Sequence, residues 1–489
     1  MPIAKGRFMP LDRWALSLIL GLLVAIVGLI LLGDHTVPKV KDFSWQNRQI
    51  GAEDRAFTLT FNRPMTWEKV QPNLEITPAL EGKVSWSGRR MAYTLENPIA
   101  YGQSFQLKLT NVPEQTRGPG RSPKLMQPFV AQFSSRDRAF VYLGTDAQES
   151  GRLILQNLST QTKTVLTPEN LVVSEFKPFP FGDRILFSAA DKNQSKSAFN
   201  PKLFSVTTGL EVHPPSQEAL GQAKAGQIQE LLDNETYQIL KYDLGPEGET
   251  IVLQRARRSA QGALGQVSLW KMSLDGPPQE IQSEPGGDFK IAPDGQSLVM
   301  AQGQGLAVLP LKGQTEAKPL DFLPEFGNLL SFSADGTKAA VVKFNNDFTR
   351  SLFLVTNQGQ QQELARLKGG VLAAQFDPHN QRLYCLLTQV INDQDYEEQP
   401  YLAVIEIDSR QITKLLDLPI QPNITMSLAP DATAILFDQV LDTPADGGAS
   451  SGVNIRASNL WMLPLTASAE QRQLTPVKLT MGAVPRWLP

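Results

Sequence analysis

Across 489 residues the chain carries one cysteine, Cys385, and three histidines, His35, His213 and His379. A lone thiol forms no intramolecular disulfide and no cysteine metal cage. Its setting, "RLYCLL", reads as a buried strand, so the thiol belongs to the core. His35 follows an apolar run, His213 sits beside two prolines and His379 sits in a turn. That scatter gives poor support to a histidine-dependent triad or metal centre. Charge imbalance is missing too. Lys and Arg number 46 against 49 Asp and Glu, a net charge of −3. Nothing therefore draws the whole chain toward nucleic acid or an acidic surface. No phosphate-binding glycine loop occurs. Gly448-Ala449-Ser450-Ser451-Gly452 fits the G-x-S-x-G pattern, but it follows "TPADG" in a loop of small residues. It lacks the strand and helix that present such a nucleophile. No catalytic residue, metal or cofactor is expected.

What is present begins with one long apolar run. Residues 14–32, "WALSLILGLLVAIVGLILL", contain no charge. As a helix they reach about 30 Å, the thickness of a bilayer core. Lys5, Arg7 and Arg13 precede the run and Asp34 follows it. The positive-inside rule then leaves residues 1–13 as a cytoplasmic tail, 14–33 as a transmembrane helix and the rest outside the cytoplasm, in a bacterial periplasm or its equivalent. The rival is a cleaved signal peptide, whose apolar region would be shorter and end in small residues. Here a large Leu31 stands two positions before Gly33.

The remainder is too long for one core and rich in turn formers, with 36 Gly and 35 Pro. An all-β chain of two domains follows. Over 34–136 the apolar residues alternate with period two: Phe57, Leu59, Phe61; Met91, Tyr93, Leu95; Phe105, Leu107, Leu109; Phe129, Ala131, Phe133. These are half-buried antiparallel strands, about seven of them, as in a sandwich. Phe61 to Met65, Ile76 to Pro78, and Tyr101-Gly102 before Phe105 resemble the pattern of bacterial Ig-like domains of the SbsA type. The resemblance implies a spacer or adhesion module, not an enzyme.

From 137 a turn recurs. "FPFGDRILF" at 179, "LGPEGETIVL" at 244, "IAPDGQSLVM" at 291, "FSADGTKAAVV" at 332, "FDPHNQRLYCL" at 376 and "LAPDATAILF" at 428 are copies of one unit. The middle residues of the turns are Phe181, Glu247, Asp294, Asp335, His379 and Asp431, spaced by 66, 47, 41, 44 and 52. That period is the size of a propeller blade. The third turn position needs positive φ; Gly182, Gly248, Gly295, Gly336 and Asn380 suit it, and Ala432 predicts a turn of changed type. Seven second strands accompany six turns. The surplus resolves if the C-terminal "AVPRWLP" is the inner strand of a sheet whose outer strands come from about 138–166. The chain is then a seven-bladed β-propeller over 137–489, closed by strands from both of its ends. Ala292-Pro293-Asp294-Gly295 and Trp487-Leu488-Pro489 resemble the repeat of TolB-type (PD40) β-propellers. That likeness implies fold rather than activity.

Long insertions fall between second and third strands, at 189–200, 255–266, 343–350, 388–400 and 438–458. They crowd one face, opposite the turns. Candidate partner-binding residues on it are Arg255, Arg257 and Arg258, the acidic set Asp393, Asp395, Glu397 and Glu398 with Tyr396, and Asp442 and Asp446. The acidic set lacks the glycine and spacing of a calcium loop. The inner strands "EFKPF", "FKIAP", "LLSFS", "AAQFD" and "TMSLAP" read as mostly apolar or neutral, against catalysis at the centre. The expectation is a membrane-anchored scaffold docking an envelope protein or cell-wall glycan, with no nucleic-acid partner. The alternative is an envelope enzyme cleaving glycan or peptide with polar residues at the propeller centre.

Overall fold

A computed structural model describes residues 10–32, 36–115, 122–192, 200–211, 223–259, 263–311, 321–392, 394, 396–421, 423–441, 456–465 and 474–489. Helix α1, Pro10–Leu32, carries the apolar run. Its side chains are described from 14 to 28, and nearly all are exposed. Among the described residues no helix is long and apolar enough to cross a membrane. After α1 the described helix is confined to one turn, Trp67–Val70, and a 3-10 turn, Gln71–Asn73.

Two four-stranded sheets follow. One holds Val40–Phe43, Ala56–Phe61, Arg90–Leu95 and Gly82–Ser87; the other holds Gln49–Ile50, Phe129–Ser135, Ser104–Leu109 and Leu74–Thr77. Alternation buries every second residue of Ala56–Phe61 and Ser104–Leu109 against the opposite sheet. Trp45 lies between Phe57 and Phe133, with centroids at 5.2 and 5.3 Å. This is a β-sandwich with a single aromatic-rich core. Val40 pairs with Phe61, so the chain enters at one end of the sandwich while Arg55 marks the other.

Seven more four-stranded antiparallel sheets complete the chain, a β-propeller topology. Six are formed in chain order. Their first strands are Leu171–Pro178, Tyr237–Leu244, Phe289–Ile291, Phe326–Phe332, Val371–Phe376 and Met426–Leu428. The remaining sheet is composite. The C-terminal strand Ala483–Trp487 pairs with Ala139–Leu143, matching Arg486 with Val141 and Trp487 with Phe140. Apolar residues fill the spaces between successive sheets, as where Phe289 and Leu309 join Val252 and Leu269. Cys385 is fully buried there, and burial pushes its thiol far up, as expected of a core group.

All six turns have the same form. The third residues, Gly182, Gly248, Gly295, Gly336, Asn380 and Ala432, have φ between +54° and +74°. Ala432 at +54° thus corrects the expectation of a changed turn: its N–H donates to Ala429 O at 2.8 Å, as Gly295 N does to Ala292 O at 2.9 Å. Asp431 Oδ1 holds the geometry by accepting from Thr433 N at 3.1 Å and Oγ1 at 2.7 Å. A side chain in this region costs roughly 1–2 kcal/mol. Ala432→Gly is therefore expected to stabilise the protein by about 1 kcal/mol, read as a higher urea midpoint with an unchanged slope.

The sandwich meets the propeller on the turn face. Tyr101 N donates to Asp431 Oδ2 at 3.1 Å, and Arg55 donates to the carbonyl of Pro378 in the adjacent turn. The face of the second-to-third-strand hairpins points away from the sandwich.

Candidate functional site

The hairpin face is built less from loops than the sequence implies. Backbone N–H and C=O groups of an insertion need partners, and the two arms supply them to each other. The strands accordingly extend into the insertions: Thr250–Arg258 with Leu264–Ser273, and Arg382–Asn392 with Glu397–Glu406. Arg255 is thus a strand residue. It is buried, with its guanidinium 3.8 Å from the Trp270 ring and 4.2 Å from the Tyr237 ring. Enclosed between two aromatic faces it is a packing element. Arg257 is exposed and Arg258 half-buried at the end of the same strand. Glu398 is half-buried in its ribbon. It accepts from Thr388 Oγ1 and from Gly370 N at 3.3 Å, and Arg350 lies 3.6 Å away. Tyr396 is 56% exposed at the hairpin tip and its hydroxyl accepts from Arg350 Nη1 at 3.1 Å. Glu397 is exposed. Asp393, Asp395, Asp442, Asp446 and the G-x-S-x-G stretch lie outside the described residues, as do His35 and His213. Among the described residues no group of three potential metal ligands occurs.

Sequence reading missed a notch on this face between the fourth and fifth of these sheets, counted from the composite one. The fourth sheet turns tightly at Gly303, φ +54°, while the fifth runs on through 345–349. The step leaves an open cavity of ≈ 820 Å³ lined by Phe322, Phe344, Lys343, Asp347 and Arg366. A Cβ on Gly305 would lie 2.5 Å from Phe322 Cζ, and one on Gly327 would lie 2.5 Å from Phe344 Cε2. Those glycines let the two rings lie across the backbone. Phe322, Phe344 and Phe348 are 46, 59 and 88% exposed. The rim charges neutralise each other, Lys343 with Glu325 and Arg366 with Asp347 at 2.7 Å.

A second cluster lies along the propeller axis. Lys177 pairs with Leu186, Asp243 with Val252, Lys290 with Val299, Ser331 with Ala340, Gln375 with Tyr384 and Ser427 with Leu436. Each inner residue is five positions before the positive-φ turn residue and each partner four after it. Arg486, paired with Val141, holds the same place in the composite sheet. One polar residue from every sheet therefore stands at one level. Several staple neighbouring sheets. Lys177 Nζ donates to Asp243 Oδ1 at 2.5 Å; Asp243 Oδ2 accepts from Ile291 N at 2.7 Å; Gln375 Oε1 accepts from Leu428 N at 2.6 Å; Ser427 Oγ accepts from Trp487 N at 3.1 Å. Glu175 and the ion pair of Lys241 with Asp288 stand two residues earlier along the chain than Lys177, Asp243 and Lys290. Burial, then the charge of Lys177, holds Lys290 below the usual lysine range; burial raises Glu175. These residues correct the reading of the inner strands as nearly neutral. Counting back from the turn would have aligned Lys177, Asp243 and Lys290.

No family model matches the chain, and no curated protein matches it. Among solved structures it is similar to TolB from Acinetobacter baumannii, at 11% identity over 92% of this chain and 88% of that one, with a TM-score of 0.39. It is also similar to an oligogalacturonate lyase in complex with manganese, at 12% identity over 64% of this chain and 83% of that one, TM-score 0.46. A prolyl oligopeptidase B from Galerina marginata shows 8% identity over 71% of this chain and 52% of that one, TM-score 0.45. Likeness this distant bears on neither activity nor partner.

Proposed function

We propose that the chain is a membrane-anchored scaffold of a bacterial cell envelope that docks an apolar segment of an envelope protein in the notch on its hairpin face. The observation that carries this reading is the trio Phe322, Phe344 and Phe348, exposed on the face turned away from the sandwich. Exposed aromatic clusters mark interaction surfaces. A protein segment suits the notch better than a glycan. Its rim charges are already paired, and phenylalanine offers no polar tip for sugar hydroxyls.

The proposed layout is a cytoplasmic tail 1–13, a transmembrane helix 14–33, an Ig-like spacer 34–136 and a seven-bladed ring 137–489. Exposure of Leu16, Leu18, Leu20 and Val24 around all sides of α1 supports the anchor, because a helix apolar all round needs an apolar solvent. The chain enters the sandwich at the end away from the propeller, which supports a spacer role. The full chain is expected to stay with membranes in alkaline carbonate; release into the soluble fraction would refute the anchor.

Catalysis is a second reading, favoured by the charges at the axis. The acids there are largely engaged with neighbours, which fits binding better than turnover.

Phe348→Ser with Phe344→Ser is expected to change stability by no more than about 0.5 kcal/mol. The same pair is expected to weaken capture of one crosslinked envelope protein about tenfold or more. Capture unchanged by the pair overturns the docking site. Loss of retention on cell-wall glycan instead would replace the protein by a glycan.

A further inference from the structure

We propose that the axial ring is a binding site for a small oxyanion, a phosphate or carboxylate group, held by Lys290 and Arg486 with Lys177 beside them. This site is separate from the docking notch and does not rest on it.

The ring level carries three cations, Lys177, Lys290 and Arg486, and one carboxylate, Asp243. Asp243 is fully engaged. It accepts from Lys177 Nζ and Ile291 N, and also from Leu244 N at 3.0 Å. Lys290 and Arg486 have no hydrogen-bonded or ion-paired side-chain partner among the described residues. Ser331 Oγ, at the same level, is buried with no partner among them either. Other charges face this level from the surrounding strands. Lys241 and Asp288 satisfy each other. Asp438 spends its two oxygens on Thr425 N at 2.7 Å and Val484 N at 2.9 Å. Glu175 remains; burial raises its pKa, and the charges of Lys177, Lys241 and Arg486 oppose that rise. Two half-buried cations and an unpartnered hydroxyl thus face the axis, with Glu175 the one acid there that no hydrogen bond or ion pair holds among the described residues.

An enclosed cation without a counter-charge is costly, and an unmet buried donor adds to the cost. An anion on the axis meets all three groups at once. The chemistry selects an oxyanion over a halide. The guanidinium fork matches two oxygens in one plane, while an ammonium and a hydroxyl each take one more. Burial and Lys177 hold Lys290 below its ordinary range, and burial does the same to Arg486. A bound anion would reverse both shifts.

The test uses the detergent-solubilised full chain in low-chloride buffer, titrated separately with inorganic phosphate and with acetate. Phosphorus line broadening and calorimetry read phosphate binding, and calorimetry alone reads acetate. Saturable binding at one site is expected. Lys290→Met and Arg486→Met are each expected to raise Kd about tenfold or more. Lys83→Met, on the sandwich surface, is expected to leave it unchanged. Tm distinguishes a binding defect from a folding defect. Without anion Lys290→Met should melt no lower than the parent, since it removes an unpaired cation; with phosphate it should lose the parent's gain in Tm. Whichever anion binds more tightly identifies the group. No saturable binding of either anion, or equal affinity in parent and axial variants, overturns the site.

Discussion

Deleting residues 483–489 is expected to abolish cooperative folding of the propeller. The segment is short, but it touches three sheets. It pairs with Ala139–Leu143 in the composite sheet, and Leu488 N donates to Ala139 O at 3.0 Å. Trp487 stands edge-on to Phe140 with centroids at 5.6 Å, and its backbone N–H donates to Ser427 Oγ of the last sheet at 3.1 Å. Leu488 packs in the core shared with Val173 and Phe176 of the next sheet. Truncating a buried Trp costs about 3–5 kcal/mol and a buried Leu about 2–5. Together they approach the whole stability of an ordinary domain, about 5–15 kcal/mol. The deletion also bares Ala139–Leu143, a strand buried at every position, as a free edge open to aggregation. The milder Trp487→Ala is expected to cost about 3–5 kcal/mol in urea unfolding. A truncated chain that unfolds at the parent's midpoint would refute the shared sheet.

Asp431→Ala is expected to loosen the sandwich from the propeller and to destabilise the protein by about 3 kcal/mol. The carboxylate is only 1% exposed and serves both domains. It accepts from Arg138 Nη2 at 2.6 Å, from Tyr101 N at 3.1 Å and from both donors of Thr433. Its removal leaves a partly enclosed guanidinium and an orphaned backbone N–H. Arg138 is 24% exposed, so water offsets part of the loss. Calorimetry should resolve two transitions in place of one, and limited proteolysis should cut near residue 136 sooner. One unshifted transition would show that the junction is held elsewhere.

The sequence made much of this architecture legible because local rules and global fold agree in it. Period-two alternation in "AFTLTF" buries Phe57, Leu59 and Phe61 as it must in a half-covered strand. The turn copies placed five positive-φ residues correctly, Gly182, Gly248, Gly295, Gly336 and Asn380, and the mismatch between turns and strands located the composite sheet. Residue type misled at Ala432, where hydrogen bonds from Asp431 stabilise a conformation that alanine alone disfavours. Arg255 misled in the same way. Polarity put it in a solvated loop, but the ribbon continues and Tyr237 and Trp270 close over it.

By itself the sequence determined the strands, the repeat and the way the two ends of the propeller segment meet, because each follows from spacing along the chain. Only the tertiary structure decided the sites. The notch exists because two neighbouring hairpins differ in length across a sheet boundary, and Phe322 and Phe344 line it from separate repeats. The axial ring exists because seven inner strands share one register, which brings Lys177, Lys290 and Arg486 together across more than 300 positions of sequence. Each cation is unremarkable within its own strand; only the fold sets the charges of the other strands beside it.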